Sequence, residues 1–168
     1  MRTNLIWLSL LLLTLFSCSK EDDWQTVSIS GSYTNTPDLT AGFHSVTTPA
    51  GVLQLPKKYI VSGSDNIVGN IDATKSYITM NTISLNPVTS AFDLAFDIVI
   101  FDGKGDKVEF SGTGQSYFNN TGLSWQHYSG GTGKYEGISG WLNTSIALNP
   151  DNGVLTITTI EGEATYKK

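Results

Sequence analysis

The chain has 168 residues, with 15 acidic against 10 basic side chains, a net charge of −5 and a single cysteine. That balance argues against binding a phosphate backbone, which runs on clustered Lys and Arg, and one cysteine excludes an internal disulfide framework. The length suits one domain held together by its own core.

The opening MRTNLIWLSLLLLTLFSCSKEDD carries one positive charge at Arg2, an apolar run from Leu5 to Phe16, then Ser17 and Cys18. These are the parts of an export signal. The run is about a dozen residues, whereas a membrane-spanning helix needs about 20. Leu15-Phe16-Ser17-Cys18 resembles the bacterial lipoprotein box, in which a peptidase cuts before the cysteine and the cysteine is acylated. The resemblance implies a signal peptide over residues 1–17, an acylated Cys18 with an acidic tether over 18–23, and a domain over 24–168. Acyl chains would then hold the domain at a membrane without a spanning helix. Residue 19 is Ser rather than the Asp that retains lipoproteins in the inner membrane, and Glu21-Asp22-Asp23 resembles the surface-export signal of some Gram-negative lipoproteins. Both imply the outer membrane of a bacterial envelope, with the surface and periplasmic leaflets left open.

From Trp24 onward no long stretch shows helical spacing. Val27 and Ile29 begin the strand pattern, and residues 35–52, with Pro37, Pro49 and Gly51, read as a long loop near one rim. Strands follow at residues 59–61 and 77–85, where the apolar parity shifts between Met80 and Ile83 and predicts a bulge. The clearest is AFDLAFDIVIF, residues 91–101: Phe92, Leu94, Phe96, Ile98 and Ile100 share one parity, which means one strongly buried face. Further strands lie around Val108 and Phe110, over 142–148 and over 154–160. Turn residues at 102–106 and 149–153 separate them as hairpins. About eight antiparallel strands without crossover helices predict an all-β fold, a sandwich or a single closed barrel; closure disposes of the edges.

GGTGKYEGISGW, residues 130–141, concentrates glycine. It fits neither phosphate-binding pattern: Tyr128 stands five residues before Gly133 and Tyr135 follows Lys134, while Glu136 stands where a dinucleotide loop needs its third glycine. The β reading gives Gly130, Gly131 and Gly133 a turn with positive φ, and lets Gly137 and Gly140 coil the strand or pack it against another backbone. GGTGKYEGISG resembles the glycine signature of the allene oxide cyclase barrel and dirigent-like superfamily. GKGDKVEFSG at 103–112 and EGEATY at 161–166 are similar to a strand-turn-strand and a last strand there. The resemblance implies an eight-stranded antiparallel barrel. The activities it implies, cyclisation of an epoxide fatty acid and guidance of phenoxy-radical coupling, come with no catalytic residue that maps onto this chain.

Asp93 and Asp97 share one face of one strand but stand roughly 13 Å apart at about 3.3 Å per residue. Glycosidase carboxylates need about 5 to 9.5 Å. Asp102 and Asp106 read as a hairpin turn rather than a calcium loop, and His44 and His127 with no spare cysteine offer no metal ligand set. No cofactor is expected. The segment QSYFNNTGLSWQHYSGG, residues 115–131, crowds aromatic rings with polar handles, which suits a sugar-stacking platform at a barrel mouth or packing across a hairpin. The candidate binding residues are therefore Tyr117, Trp125, His127 and Tyr128, with Asp97. The sequence thus predicts a non-enzymatic, lipid-anchored envelope protein that binds a small apolar ligand, a carbohydrate or a partner protein. The alternatives are a cyclase or isomerase using Asp93, Asp97 or His127 inside the lumen, and a purely structural surface protein. The oligomeric state is not legible.

Overall fold

The computed structural model describes residues 23–167, so the expected signal peptide over 1–17, Cys18 and tether residues 19–22 lie outside the described residues. Among these, the regular elements are strands apart from the single-turn 3-10 segments Leu39–Ala41 and Gly133–Tyr135. β1 (Trp24–Ser28) and β2 (Gly31–Pro37) follow one another along a single stave. β1 pairs with the end of β12 (Leu155–Lys167), and β2 pairs with its start. β5 (Lys58–Asp65), β7 (Tyr77–Asn86), β8 (Ala91–Phe101), β9 (Lys107–Tyr117), β10 (Thr121–Gly131) and β11 (Ser139–Leu148) run antiparallel between them. The β2–β12 pairing closes the sheet into an eight-stave barrel. β6 (Gly69–Asn70) pairs only with β5.

The alternation of β8 places Phe92, Phe96, Ile98 and Ile100 in the core. Phe96, Ile98 and Ile100 share one core with Tyr33, Val61, Ile78, Phe110, Leu142, Ile146 and Ile157 from the other staves, while the Phe92 ring lies near that of Phe118. The register of β7 against β8 slips between Met80 and Thr82, at the bulge the parity shift predicts. Residues 35–52 are not a structureless loop. They contain β3 (Phe43–Thr48), which with β4 (Gly51–Pro56) makes a separate hairpin. Its turn is tied by Thr48 Oγ1 donating to Gly51 O, and His44 Nε2 donates to Met80 O at 2.7 Å, taking up a carbonyl beside the bulge.

One end of the barrel is plugged by the glycine-rich corner. Gly130 and Gly131 finish β10 without a positive φ; the left-handed positions are Gly133, Gly137 and Gly140. The turn of Gly133 carries the fully buried Tyr135 into the barrel end, where its hydroxyl reaches Asp102 Oδ2 at 3.4 Å. The Asp102 carboxylate is taken up by donors: Lys104 N at 2.8 Å, Asp106 N at 3.0 Å and Lys134 Nζ at 3.0 Å.

Beside Tyr135 lies a second buried acid. Asp65 Oδ1 accepts from Ile67 N at 2.7 Å and Val68 N at 2.6 Å, and Oδ2 accepts from the Tyr33 hydroxyl at 3.0 Å. Burial raises its pKa, against the lowering effect of those hydrogen bonds. Folded Asp65 therefore binds its proton more tightly than the unfolded chain does. Its contribution to stability falls as pH rises from its unfolded value near 3.8 through its raised folded value, and stays lost above that. Asp65→Asn keeps an acceptor for both amides and removes the charge. It is expected to flatten this part of the profile and to match or exceed wild-type stability near pH 7. Urea denaturation of both proteins from about pH 4 to about pH 8 checks it.

Candidate functional site

The lumen is nearly filled. Its cavity is about 50 Å³, room for a few waters and well below the roughly 300 to 1,000 Å³ of a ligand pocket. Ile78, Met80, Phe96, Phe110 and Leu142 supply apolar wall, and one polar strip interrupts it. Ser124 Oγ and Thr144 Oγ1 stand 2.6 Å apart, and Gln126 Nε2 donates to Ser124 Oγ at 3.0 Å. Asn35 lines the same cavity at 1% exposure, and its Oδ1 has no hydrogen-bond partner. An unmet buried acceptor is costly, so Asn35→Leu, which also fills space, should stabilise the fold by about 1 kcal/mol in urea denaturation.

The larger concavity is on the outside of the wall. A groove of about 620 Å³ runs over β8 to β12, with Leu123, Trp125 and Ile160 projecting into it. These side chains are 53%, 49% and 59% exposed. Leu123 and Trp125 are exposed because of the way β10 faces: Gly122, Ser124, Gln126 and Tyr128 turn inward, while Leu123, Trp125 and His127 turn outward. Two of those inward positions, Gly122 and Ser124, need little room, and Ser124 and Gln126 satisfy each other and Thr144 inside. Exposed apolar side chains gathered on one wall make it a candidate interaction surface.

Register then sets polar pairs on both sides of it. Asp93 on β8 lies across from Gln115 on β9, which lies across from Leu123; Trp125 lies across from Asn143 on β11, which lies across from Glu161 on β12. Gln115 Nε2 donates to Asp93 Oδ1 at 2.8 Å, and Asn86 Nδ2 donates to Asp93 Oδ2 at 2.9 Å. Asn143 Nδ2 donates to Glu161 Oε1 at 2.7 Å. Tyr117 adds a hydroxyl that donates to Gln115 Oε1 at 3.2 Å.

The predicted residues are thereby sorted. Tyr117 and Trp125 line the groove. His127 lies beside it, its ring 5.3 Å from that of Trp125. Asp97 is outward one row further along, opposite Ser111, which is opposite His127. Tyr128 belongs to the core: it is buried, its ring is 4.4 Å from that of Phe110, and burial pushes its phenol pKa up. None of Asp93, Asp97 and His127 faces the lumen, which corrects the expectation of a lumen acid or base. Hydrogen bonds from Ser111 Oγ at 2.7 Å and Asn81 Nδ2 at 2.8 Å hold the Asp97 carboxyl below the usual carboxylate range, the opposite of what a general acid needs. Sequence reasoning missed Leu123, Gln115, Asn143, Ile160 and Glu161, because only the register of five strands brings them together.

No family model and no curated protein matches the chain. Among solved structures, its fold is similar to that of the pterocarpan synthase dirigent protein GePTS1, at 13% identity over 88% of this chain and 93% of that one, with a TM-score of 0.50. The pterocarpan synthase dirigent protein PsPTS1 aligns at 13% identity over 89% and 99%, with a TM-score of 0.46. At this identity the likeness shows the barrel fold, in agreement with the expectation from the glycine signature.

Proposed function

We propose that this chain is a lipid-anchored, non-catalytic binding protein of the bacterial outer membrane, whose ligand sits on the outer wall and not in the lumen. The observation that carries the reading is the exposed Leu123–Trp125 platform set between two hydrogen-bonded acid–amide pairs, against a lumen with space for waters alone. A glycosidase carboxylate pair at the groove is disfavoured by spacing. Asp93 and Glu161 stand on staves four apart, roughly 19 Å along the wall at about 4.8 Å per strand, too far for a glycosidase pair.

Attachment through Cys18 is compatible with this placement. β1 begins beside the plugged end, where the Trp24 ring faces Gly137, so a tether entering there leaves the wall of β8 to β12 accessible. Cys18→Ser should move the protein from the membrane fraction to the soluble fraction of the cell envelope; undiminished membrane attachment contradicts the anchor. For the binding half, Trp125→Ala should remove glycan-array signals that the wild-type full chain gives. Signals that survive the substitution contradict the wall site.

A further inference from the structure

The groove's chemistry narrows its occupant, and the narrowing rests on the reading of the groove as a binding site. Its lining holds two carboxylates, Asp93 and Glu161, and no Lys or Arg. The next row of the wall adds Asp97 and Glu163, the latter accepting from Trp141 Nε1 at 3.2 Å. An anionic ligand meets like charge with no cation in the lining to answer it, which disfavours its binding. A wholly apolar ligand would strip water from both carboxylates without replacing their hydrogen bonds. A protein partner would bury Asp and Glu at the centre of its footprint, where interfaces are depleted of them.

A polyhydroxylated ring answers each group. Its C–H face packs on an indole, and its hydroxyls both donate to carboxylates and accept from amides. Gln115 on β9 is level with Leu123 and Asn143 on β11 is level with Trp125, so the two acid–amide pairs flank the Leu123–Trp125 platform on a diagonal, roughly 12 Å apart at two strand spacings across and two residues along. We propose that the wall groove binds a neutral carbohydrate chain, one sugar ring lying on Trp125 and hydroxyls along the chain held by Asp93–Gln115 on one side and Glu161–Asn143 on the other.

Isothermal titration of the full chain in mild detergent tests this, with mannan, xylan and a soluble β-glucan as neutral probes and polygalacturonate and alginate as acidic ones. At least one neutral polysaccharide should bind, at least about tenfold more tightly than either acidic one. Trp125→Ala should lose that binding, Trp125→Phe should keep part of it, and Glu161→Gln should narrow the gap between neutral and acidic probes. Acidic probes that bind as tightly as neutral ones, in a Trp125-dependent way, overturn the inference and leave the wall site standing. Binding unaffected by Trp125→Ala in a folded variant, or heat from none of the probes, overturns both.

Discussion

Gly140→Ala is expected to destabilise the protein by at least about 3 kcal/mol or to prevent folding. Gly140 has φ +134, a conformation that L side chains rarely adopt, and it lies across from Ala164 where β11 leaves the glycine-rich corner to pair with β12. A Cβ built there would collide with the Glu163 carbonyl oxygen and stand 2.9 Å from the Glu163 carbonyl carbon and 3.0 Å from Ala164 Cα. All three obstacles are backbone, so no side-chain rotation relieves them. Relief requires parting β11 from β12, beside the plug built on Tyr135. Gly103→Ala is the control: it sits in a turn with open space around its Cβ direction and should change stability by less than about 0.5 kcal/mol. Urea denaturation of the two variants side by side distinguishes a general cost of adding methyl groups from this close approach.

Trp125→Ala carries the largest expected effect on binding. The indole is half exposed, outward on the wall, with His127 as its aromatic neighbour and a hydrogen-bonded acid–amide pair to either side. Truncating a central aromatic anchor costs about 2 kcal/mol or more of binding free energy, a loss of about thirtyfold. The same truncation removes little from the core, because the buried positions of β10 are Gly122, Ser124, Gln126 and Tyr128, and stability should change by less than about 1 kcal/mol. A variant that fails to fold would place Trp125 in the core and end its assignment as a platform.

Much of the barrel was legible because its strongest signals are local. The parity of Phe92 to Ile100 shows the buried face of β8 without knowledge of its neighbours, and the parity change after Met80 locates the bulge from the same rule. The density of glycine over residues 130–140 shows that a tight corner is needed. It does not show that Gly133, Gly137 and Gly140 carry the left-handed angles while Gly130 and Gly131 do not.

The hairpin of β3 and β4 was hidden because its strands are short and carry little buried apolar surface beyond Val46. β10 escaped the strand reading because it carries Leu123 and Trp125 on the outside and polar residues inside. Its apolar residues point outward because the Phe96 ring already fills the space beside Gly112, and because Ser124, Gln126 and Thr144 hydrogen-bond one another inside. Hydrophobic patterning registers the cost of burying polar atoms but not the partners that offset it. The alternative of a lumen acid at Asp93 or Asp97 ran against the parity of β8, which puts both outside, where Gln115, Asn86, Ser111 and Asn81 hold them.

The assignment of binding to the wall and not to the lumen is tested most directly by titrating Trp125→Ala and Asn35→Leu, beside wild type, with the tightest-binding polysaccharide of the neutral set. Among the described residues Asn35 is the one side chain that lines the lumen cavity with an unpartnered acceptor, and Trp125 is the centre of the wall platform. A wall site predicts that Trp125→Ala loses at least about thirtyfold in affinity while Asn35→Leu stays within about twofold of wild type. The reverse result, affinity lost with Asn35→Leu and kept with Trp125→Ala, would put the ligand inside the barrel and contradict the account.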